Sequence, residues 1–336
     1  MGKESFSDIG KNAAISRLFE GSGFDPWEDL SFRPEPKSSV LSFQKTFIEG
    51  TDFDLVYFPL KHLGYKCAAA VLGELSAARA AAKTVSAVLG VSSKLDFSEI
   101  REVWSGIAAA AKEFGAAKAG LDLVPSQNGL SISIAASGEL SFEVSARTPS
   151  PASKDILCVS GRLGAAYLGL QVLERGKKSF ESGSAQESLE KYKMFVGAYL
   201  KPEMDSDVPS RLLKEEIFPS AGVLVTRGLA DAVKRLASRT GLGAKVYADK
   251  IPFEGNSFAL GKELDIDPVS AAMNGGDDLK VLFAVPIMSF EKFHKEFPTF
   301  SAIGHLALPE AGTVLVTPEG AELPLRAQGW PEEEDI

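Results

Sequence analysis

Lys61-His62-Leu63-Gly64-Tyr65-Lys66-Cys67-Ala68-Ala69-Ala70-Val71-Leu72-Gly73-Glu74-Leu75-Ser76-Ala77-Ala78-Arg79-Ala80-Ala81-Ala82, running into the strand-like Thr84 to Val91, decides the fold class. Its Ala and Leu content predicts a helix over 61–82, and its near-continuous small-residue face suits a helix pressed closely on a sheet. Val40 to Ile48 precedes it as a strand. Phe97 to Phe114 follows as a helix, and Leu130 to Ala135 alternates apolar residues with Ser as a half-buried strand does. This strand, helix, strand, helix, strand order predicts a mixed α/β layer, not a sandwich or a bundle.

Outward from this core, Ile9 to Phe19 reads as an amphipathic helix and Gly21 to Lys37 as a long loop. Around Arg147 to Lys154 the chain turns rich in Pro and Ser, which places a domain boundary there: 1–146, then 147–330, then an acidic tail at 331–336. In the second part, strands are expected at Asp155 to Ser160, Gly222 to Thr226, Ala244 to Ala248 and Lys280 to Pro286. Helices are expected from Gly164 to Arg175, Glu187 to Leu200, Val208 to Glu216, Leu229 to Thr240 and Ser289 to Phe297. Ala302 to Leu308 and Thr313 to Thr317 read as a hairpin.

Composition narrows the chemistry. The 336 residues carry 36 Lys+Arg against 45 Asp+Glu, a formal net charge of -9, and no long basic block, which argues against nucleic acid as partner. The apolar stretch Cys67 to Ala82 is broken by Glu74 and Arg79 and is too short to span a bilayer, and Met1 to Ser5 lack the features of a secretion signal, so a cytoplasmic location is expected. Cys67 and Cys158 sit in apolar runs, as buried thiols do. His62, His294 and His305 lie in unrelated segments, with no zinc spacing and no Gly-x-Ser-x-Gly elbow. Carboxylates, metal ions and backbone amides are left to carry any chemistry.

Two local segments point to a ligand. Asn274-Gly275-Gly276-Asp277-Asp278 pairs glycines that let the backbone approach a ligand with carboxylates that hold Mg²⁺ or receive polar donors; the plain alternative is a tight turn whose Asp residues bond their own backbone. Gly161-Arg162-Leu163-Gly164, at a strand-to-helix junction, reads as a phosphate cradle or as an ordinary connection. Asp122 and Glu74 are isolated carboxylates with solvated or capping roles as the plain alternative. Trp330 either packs on the domain or stacks on an aromatic ligand ring.

Read together, these segments resemble, in order and spacing, the thiamine-monophosphate kinases of the aminoimidazole-ribonucleotide synthetase-like superfamily. Asp52 to Lys66 is similar to the family's lead into its first-domain helix, and Asp155 to Tyr167 to its second-domain opening. Lys201-Pro202-Glu203, Asn274 to Asp278 and Gln328-Gly329-Trp330 complete the pattern. The resemblance implies two α/β domains whose first-domain strands pair across a homodimer into a barrel. It also implies ATP and Mg²⁺ as cofactors and phosphoryl transfer to thiamine monophosphate, where several ions offset donor and acceptor charge.

The chain departs from that pattern at charged positions. Phe43-Gln44-Lys45 stands where the family has Thr-Thr-Asp, and Asp52 where it has a histidine. Gly73-Glu74 replaces Ser-Asp, Gly120-Leu121-Asp122 replaces Gly-Gly-Asp, and Leu224-Val225-Thr226-Arg227-Gly228 replaces Asp-x-Ser-Asp-Gly. For the family's Gly-Asp-Asp-Ala-Ala segment the nearest acids are Asp25, Glu28 and Asp29. Exchanging two carboxylates for Lys45 and Arg227 moves the local charge by about four units, at roughly 4 kcal/mol per contacting pair at intermediate dielectric. The resemblance therefore implies phosphate or nucleotide binding by Lys45, Arg147, Thr226 and Arg227, substrate contacts from Asp52, Asp277 and Trp330, and metal contacts from Glu74, Asp122 and Asp278. The two cations either hold a phosphate without Mg²⁺ or pair off with the remaining acids. Three functions stay open: a phosphate-ligand scaffold with lost or altered phosphoryl transfer, an active kinase, and a structural interaction dimer.

Overall fold

The computed structural model describes residues 9–183 and 188–330; the acidic tail 331–336 lies outside them. The chain divides into two compact units, Met1–Ser145 with Asp205–Pro209, and Ala146–Met204 with Ser210–Ile336.

In the first unit, α1 (Lys11–Phe19), β1 (Ser39–Ile48), α2 (Leu60–Ala77), β2 (Ala81–Ser92), α3 (Phe97–Glu113), β3 (Lys118–Ser126), β4 (Ser131–Leu140) and α4 (Phe142–Arg147) follow in order. The strands form a four-stranded sheet in the order β1-β4-β2-β3, with β2 and β3 parallel and β4 antiparallel to both its neighbours. Register sorts the side chains into two faces. Val85, Ala87 and Leu89 of β2 stand opposite Ala136, Ile134 and Ile132 of β4, all buried on the side that carries α2. The other side bears hydroxyls in cross-strand pairs, Ser42 with Ser137 at 2.7 Å and Thr46 with Ser133 at 3.0 Å.

Two glycines set how closely α2 and α3 pack. A Cβ on Gly64 would lie 2.0 Å from the Val103 carbonyl oxygen, and one on Gly106 would lie 2.0 Å from that of Lys61. The helices thus touch backbone to backbone, and only hydrogen fits between them. α3 opens on a capping box in which Asp96 and Glu99 each accept the other's backbone N–H. The helix expected over 61–82 ends five residues early: Arg79 turns the backbone at φ 62 and Ala81 pairs with Glu139 as the start of β2. Sheet pairing overrides alanine's helical preference there.

The second unit contains β5 (Ile156–Ser160), α5 (Ala165–Glu181), α6 (Lys193–Leu200), α7 (Val208–Lys214), β6 (Ala221–Val225), α8 (Leu229–Thr240), β7 (Gly243–Tyr247), α9 (Ser257–Leu264), α10 (Pro268–Asn274), β8 (Lys280–Val285), α11 (Phe290–Glu296), β9 (Phe300–Ala307), β10 (Thr313–Val316) and β11 (Glu322–Pro324). Its seven-stranded sheet runs β11-β10-β7-β9-β5-β8-β6. Leu157, Val159, Val223, Val225, Leu282 and Ala284 pack with Leu229, Val233 and Leu236 of α8 in one buried cluster. Cys67 and Cys158 are free and buried.

Two expectations for this unit need correction. β9 and β10 do not form a hairpin, because β7 lies between them, antiparallel to β9 and parallel to β10. The connection can cross the end of β7 because residue 243 is glycine: a Cβ there would meet Leu308 O at 2.5 Å and Gly312 O at 2.6 Å. The described part of the helix expected over 187–200 is a 3-10 turn at Leu189–Tyr192 followed by α6. α9 was not anticipated, since Ser257 to Leu264 is too short for its periodicity to stand out. Among the described residues, no helix is long and apolar enough to cross a membrane.

Gly64→Ala should lower the unfolding free energy by about 3 kcal/mol through overpacking. Gly176→Ala, in α5 with open space around its Cβ, should raise it by about 0.5–1 kcal/mol. Urea denaturation of both variants checks the pair; equal effects would remove the close helix contact as their cause.

Candidate functional site

In the second unit three connections meet at one end of the sheet: Gly161 to Gly164 after β5, Thr226 to Gly228 after β6, and Asn274 to Leu279 before β8. Gly276 has φ 79 and Asp277 φ 64, a left-handed pair that turns the Asp277 N–H onto the Thr226 carbonyl at 2.8 Å. Gly228, at φ 93, lets the start of α8 slide under α10, where a Cβ would lie 2.3 Å from Met273 O. The backbone strain and close approaches that side chains would forbid are concentrated here.

Asp278 is the buried anchor of this region. Its Oδ2 accepts the Gly164 N–H at 2.8 Å and its Oδ1 the Ala166 N–H at 3.2 Å, so both oxygens sit at the start of α5. Burial pushes its carboxyl up to about 7, against the pull of those N–H groups and of the Lys280 ammonium. Burial likewise lowers Lys280, whose Nζ donates to the Glu203 carbonyl at 2.8 Å. The cradle expected at Gly161 to Gly164 is therefore filled by the chain's own carboxylate at the place where a phosphate would receive these amides.

A second centre stands at the β6–α8 junction. Asp231, in the first turn of α8, is 1% exposed and accepts three donors. Arg227 Nη2 reaches Oδ1 at 3.1 Å, Trp330 Nε1 reaches the same Oδ1 at 3.0 Å, and Arg235 Nε reaches Oδ2 at 3.0 Å. Arg235 also donates to the Leu224 carbonyl, and the Lys234 ammonium lies 5.8 Å from the Trp330 ring centroid. Trp330 is thus held through its indole N–H, and Arg227 is tied to a carboxylate while its side chain stays 63% exposed. Sequence reading found Arg227 and Trp330 but missed Asp231 and Arg235. The Arg227-x₃-Asp231-x₃-Arg235 spacing, one turn apart on a helix, is the signal that would have found them.

The first-unit candidates do not converge. Lys45 stands opposite Ile134 on the α2 side of the sheet, with its Nζ 5.0 Å from the Phe47 ring centroid, and the half-buried Glu74 belongs to α2 itself. Asp122 pairs in register with Val88, on the opposite, hydroxyl-bearing side. Lys11 binds the Asp122 carboxylate and holds it below the usual carboxylate range. Asp52 Oδ2 accepts the Ile48 N–H at 2.8 Å in the turn after β1. Arg147, in the second unit, donates to Glu216 Oε1 at 3.0 Å and lies 4.5 Å from the Phe218 ring centroid.

A multi-ion Mg²⁺ centre needs several carboxylates turned to one point. Glu74 and Asp122 lie on opposite sides of the sheet, Asp122 holds Lys11, and Asp278 spends both oxygens on backbone N–H groups. Among the described residues no group of three or more His, Cys, Asp or Glu could hold a metal ion. The acids present do not fit such a centre.

The importance of Asp278 is open to measurement. Its folded pKa stands above the unfolded value of 3.8, so its contribution to stability is full below pH 3.8 and is lost as the pH rises through about 7. Asp278→Asn keeps one acceptor and removes the titration. Urea unfolding at pH 5 should find the variant less stable by about 1–3 kcal/mol, with a narrower gap at pH 8. A gap that widens with pH would contradict this reading.

Comparison with known proteins finds relatives of similar sequence and fold. Residues 29–140 match the AIR synthase related protein, N-terminal domain. The chain is 24% identical over 270 residues to the thiamine-monophosphate kinase of Bacillus subtilis, covering 80% of this chain and 78% of that one. With the enzyme of that name from Rhodopirellula baltica it shares 22% over 280 residues, covering 82% and 79%. The crystal structure of thiamine monophosphate kinase from Aquifex aeolicus superposes with a TM-score of 0.70 at 19% identity, covering 95% of this chain and 99% of that one. The chain is similar to thiamine-monophosphate kinases over about four fifths of its length, matches the AIR synthase related N-terminal domain over residues 29–140, and shares the fold of the Aquifex aeolicus enzyme.

Proposed function

We propose that this protein is a scaffold for a phosphate-bearing ligand, derived from an ATP-dependent kinase, in which phosphoryl transfer is lost or altered. The observation that carries the reading is Arg227. A guanidinium stands at the β6–α8 junction where the family pattern has a carboxylate, is oriented by buried Asp231, and keeps most of its surface open. A fixed cation offers an anion the charge that a metal ion would otherwise supply, and a guanidinium fork matches phosphate geometry. The structure named AaThiL complexed with AMPPCP and TMP, with a TM-score of 0.70 and 19% identity, supports nucleotide phosphates as the first ligands to try. Residues 1–146 and 147–330 would serve as the two domains of a homodimer, with first-unit strands pairing across it.

Thermal unfolding of the full chain with ATP or pyrophosphate tests the reading. The melting temperature is expected to rise equally with Mg²⁺ and with EDTA. Ligand at about a hundredfold its Kd stabilises by about 2.7 kcal/mol. A shift that appears only with Mg²⁺ would overturn the proposal.

A second reading, an active kinase using ATP and Mg²⁺ on thiamine monophosphate, is favoured by the names of the curated relatives. A coupled ADP-release assay separates the two. The scaffold reading expects no turnover of thiamine monophosphate above background from folded protein, and Mg²⁺-dependent turnover would establish the kinase instead.

A further inference from the structure

Arg227 and Trp330 share one acceptor atom, Asp231 Oδ1, at 3.1 and 3.0 Å. The carboxylate beneath them has a separate counter-ion, because Arg235 holds Oδ2 at 3.0 Å and is itself fixed on the Leu224 carbonyl. The two arginines are not equivalent: the Arg235 side chain is 17% exposed and that of Arg227 is 63% exposed. Removing Arg227 from Asp231 would leave the buried carboxylate still paired with a guanidinium and an indole N–H. Arg227 can therefore change partner while each Asp231 oxygen keeps a donor, whereas moving the largely buried Arg235 would take away the donor to Oδ2. Two guanidiniums on one carboxylate also leave positive charge in excess, and Lys234 beside Trp330 adds to it.

We propose that Arg227, Asp231 and Trp330 form a metal-independent phosphate site in which a phosphate monoester or pyrophosphate takes Arg227 over from Asp231. This rests on the scaffold reading and deepens it: Asp231 is the positioning residue, Arg227 the group that touches the anion, and Trp330 the group that registers the exchange. When Arg227 turns to the anion, Oδ1 keeps the indole N–H as its donor, and the electrostatic surroundings of the ring change. No covalent step is involved.

Tryptophan fluorescence reads this directly, since the chain has 3 tryptophans and the other two, Trp27 and Trp104, belong to the first unit. The full chain is titrated with inorganic phosphate and with pyrophosphate in EDTA, and binding is measured in parallel by calorimetry. A saturable fluorescence change is expected, and it is lost in Trp330→Phe. Arg227→Gln is expected to weaken binding at least tenfold, with its own melting temperature little changed because the side chain is largely exposed. If Mg²⁺-free binding persists at native strength in R227Q, the ligand sits elsewhere: the site assignment falls and the scaffold reading stands. If no ligand binds without Mg²⁺, both fall. Weakened binding in R227Q with a native fluorescence change in W330F would overturn the coupling between Arg227 and Trp330.

Discussion

The hydrogen bonds from the Gly164 and Ala166 amides to the buried Asp278 carboxylate fix the working end of the second unit. They join the start of α5 to the residues that lead into β8, and the Asp277 N–H, one residue earlier, holds the end of β6 through Thr226. Three connections that are distant in sequence are thereby locked into one surface. Burial makes this carboxyl costly to ionise even though both of its oxygens accept N–H bonds that favour the charged form, so its proton is held to about 7. The positions of Arg227 and the α8 N-terminus follow from this lock.

The same lock redistributes anion-binding capacity. Amides at the start of a long helix attract phosphate, and here that capacity is absorbed by an internal carboxylate. Open positive charge is left instead at the neighbouring junction, where Arg227 and Arg235 share Asp231. An acidic chain with a formal net charge of -9 thus presents a local cationic point on its second unit. The global balance says nothing about this point, because it arises from two i,i+4 contacts at the start of α8, one from the preceding connection and one within the helix.

Most of the architecture was legible in the sequence, for identifiable reasons. Leu229–Thr240 is strongly amphipathic, opens after Gly228 and stops at left-handed Gly241, so its limits could be read directly. β4 shows its half-burial as alternating Ile and Ser. What failed to show was non-local. No local pattern reveals that β7 slips between β9 and β10, because the permission lies in Gly243, three residues past the end of a helix. The candidate site divides in the same way. Arg227, Asp277, Asp278 and Trp330 do gather in the second unit, while Lys45 and Asp122 share one sheet in the first but face opposite sides of it. That separation depends on register, and a slip of one residue would have reversed it.

The identity of the cation at position 227 carries the last step. A lysine there could neutralise Asp231, but its ammonium is a strongly hydrated point charge that must choose between the carboxylate and an incoming anion. A guanidinium presents five donors in a plane, and the contact to Asp231 uses Nη2. Arg235 and Trp330 also donate to Asp231, one to each oxygen. The arrangement can therefore bind an anion first and release Asp231 afterwards, so the buried carboxylate is never left with a single donor during the exchange. A metal site rebuilt around a fixed cation in this way would lose dependence on a dissociable ion, and with it the bridging contacts that phosphoryl transfer requires.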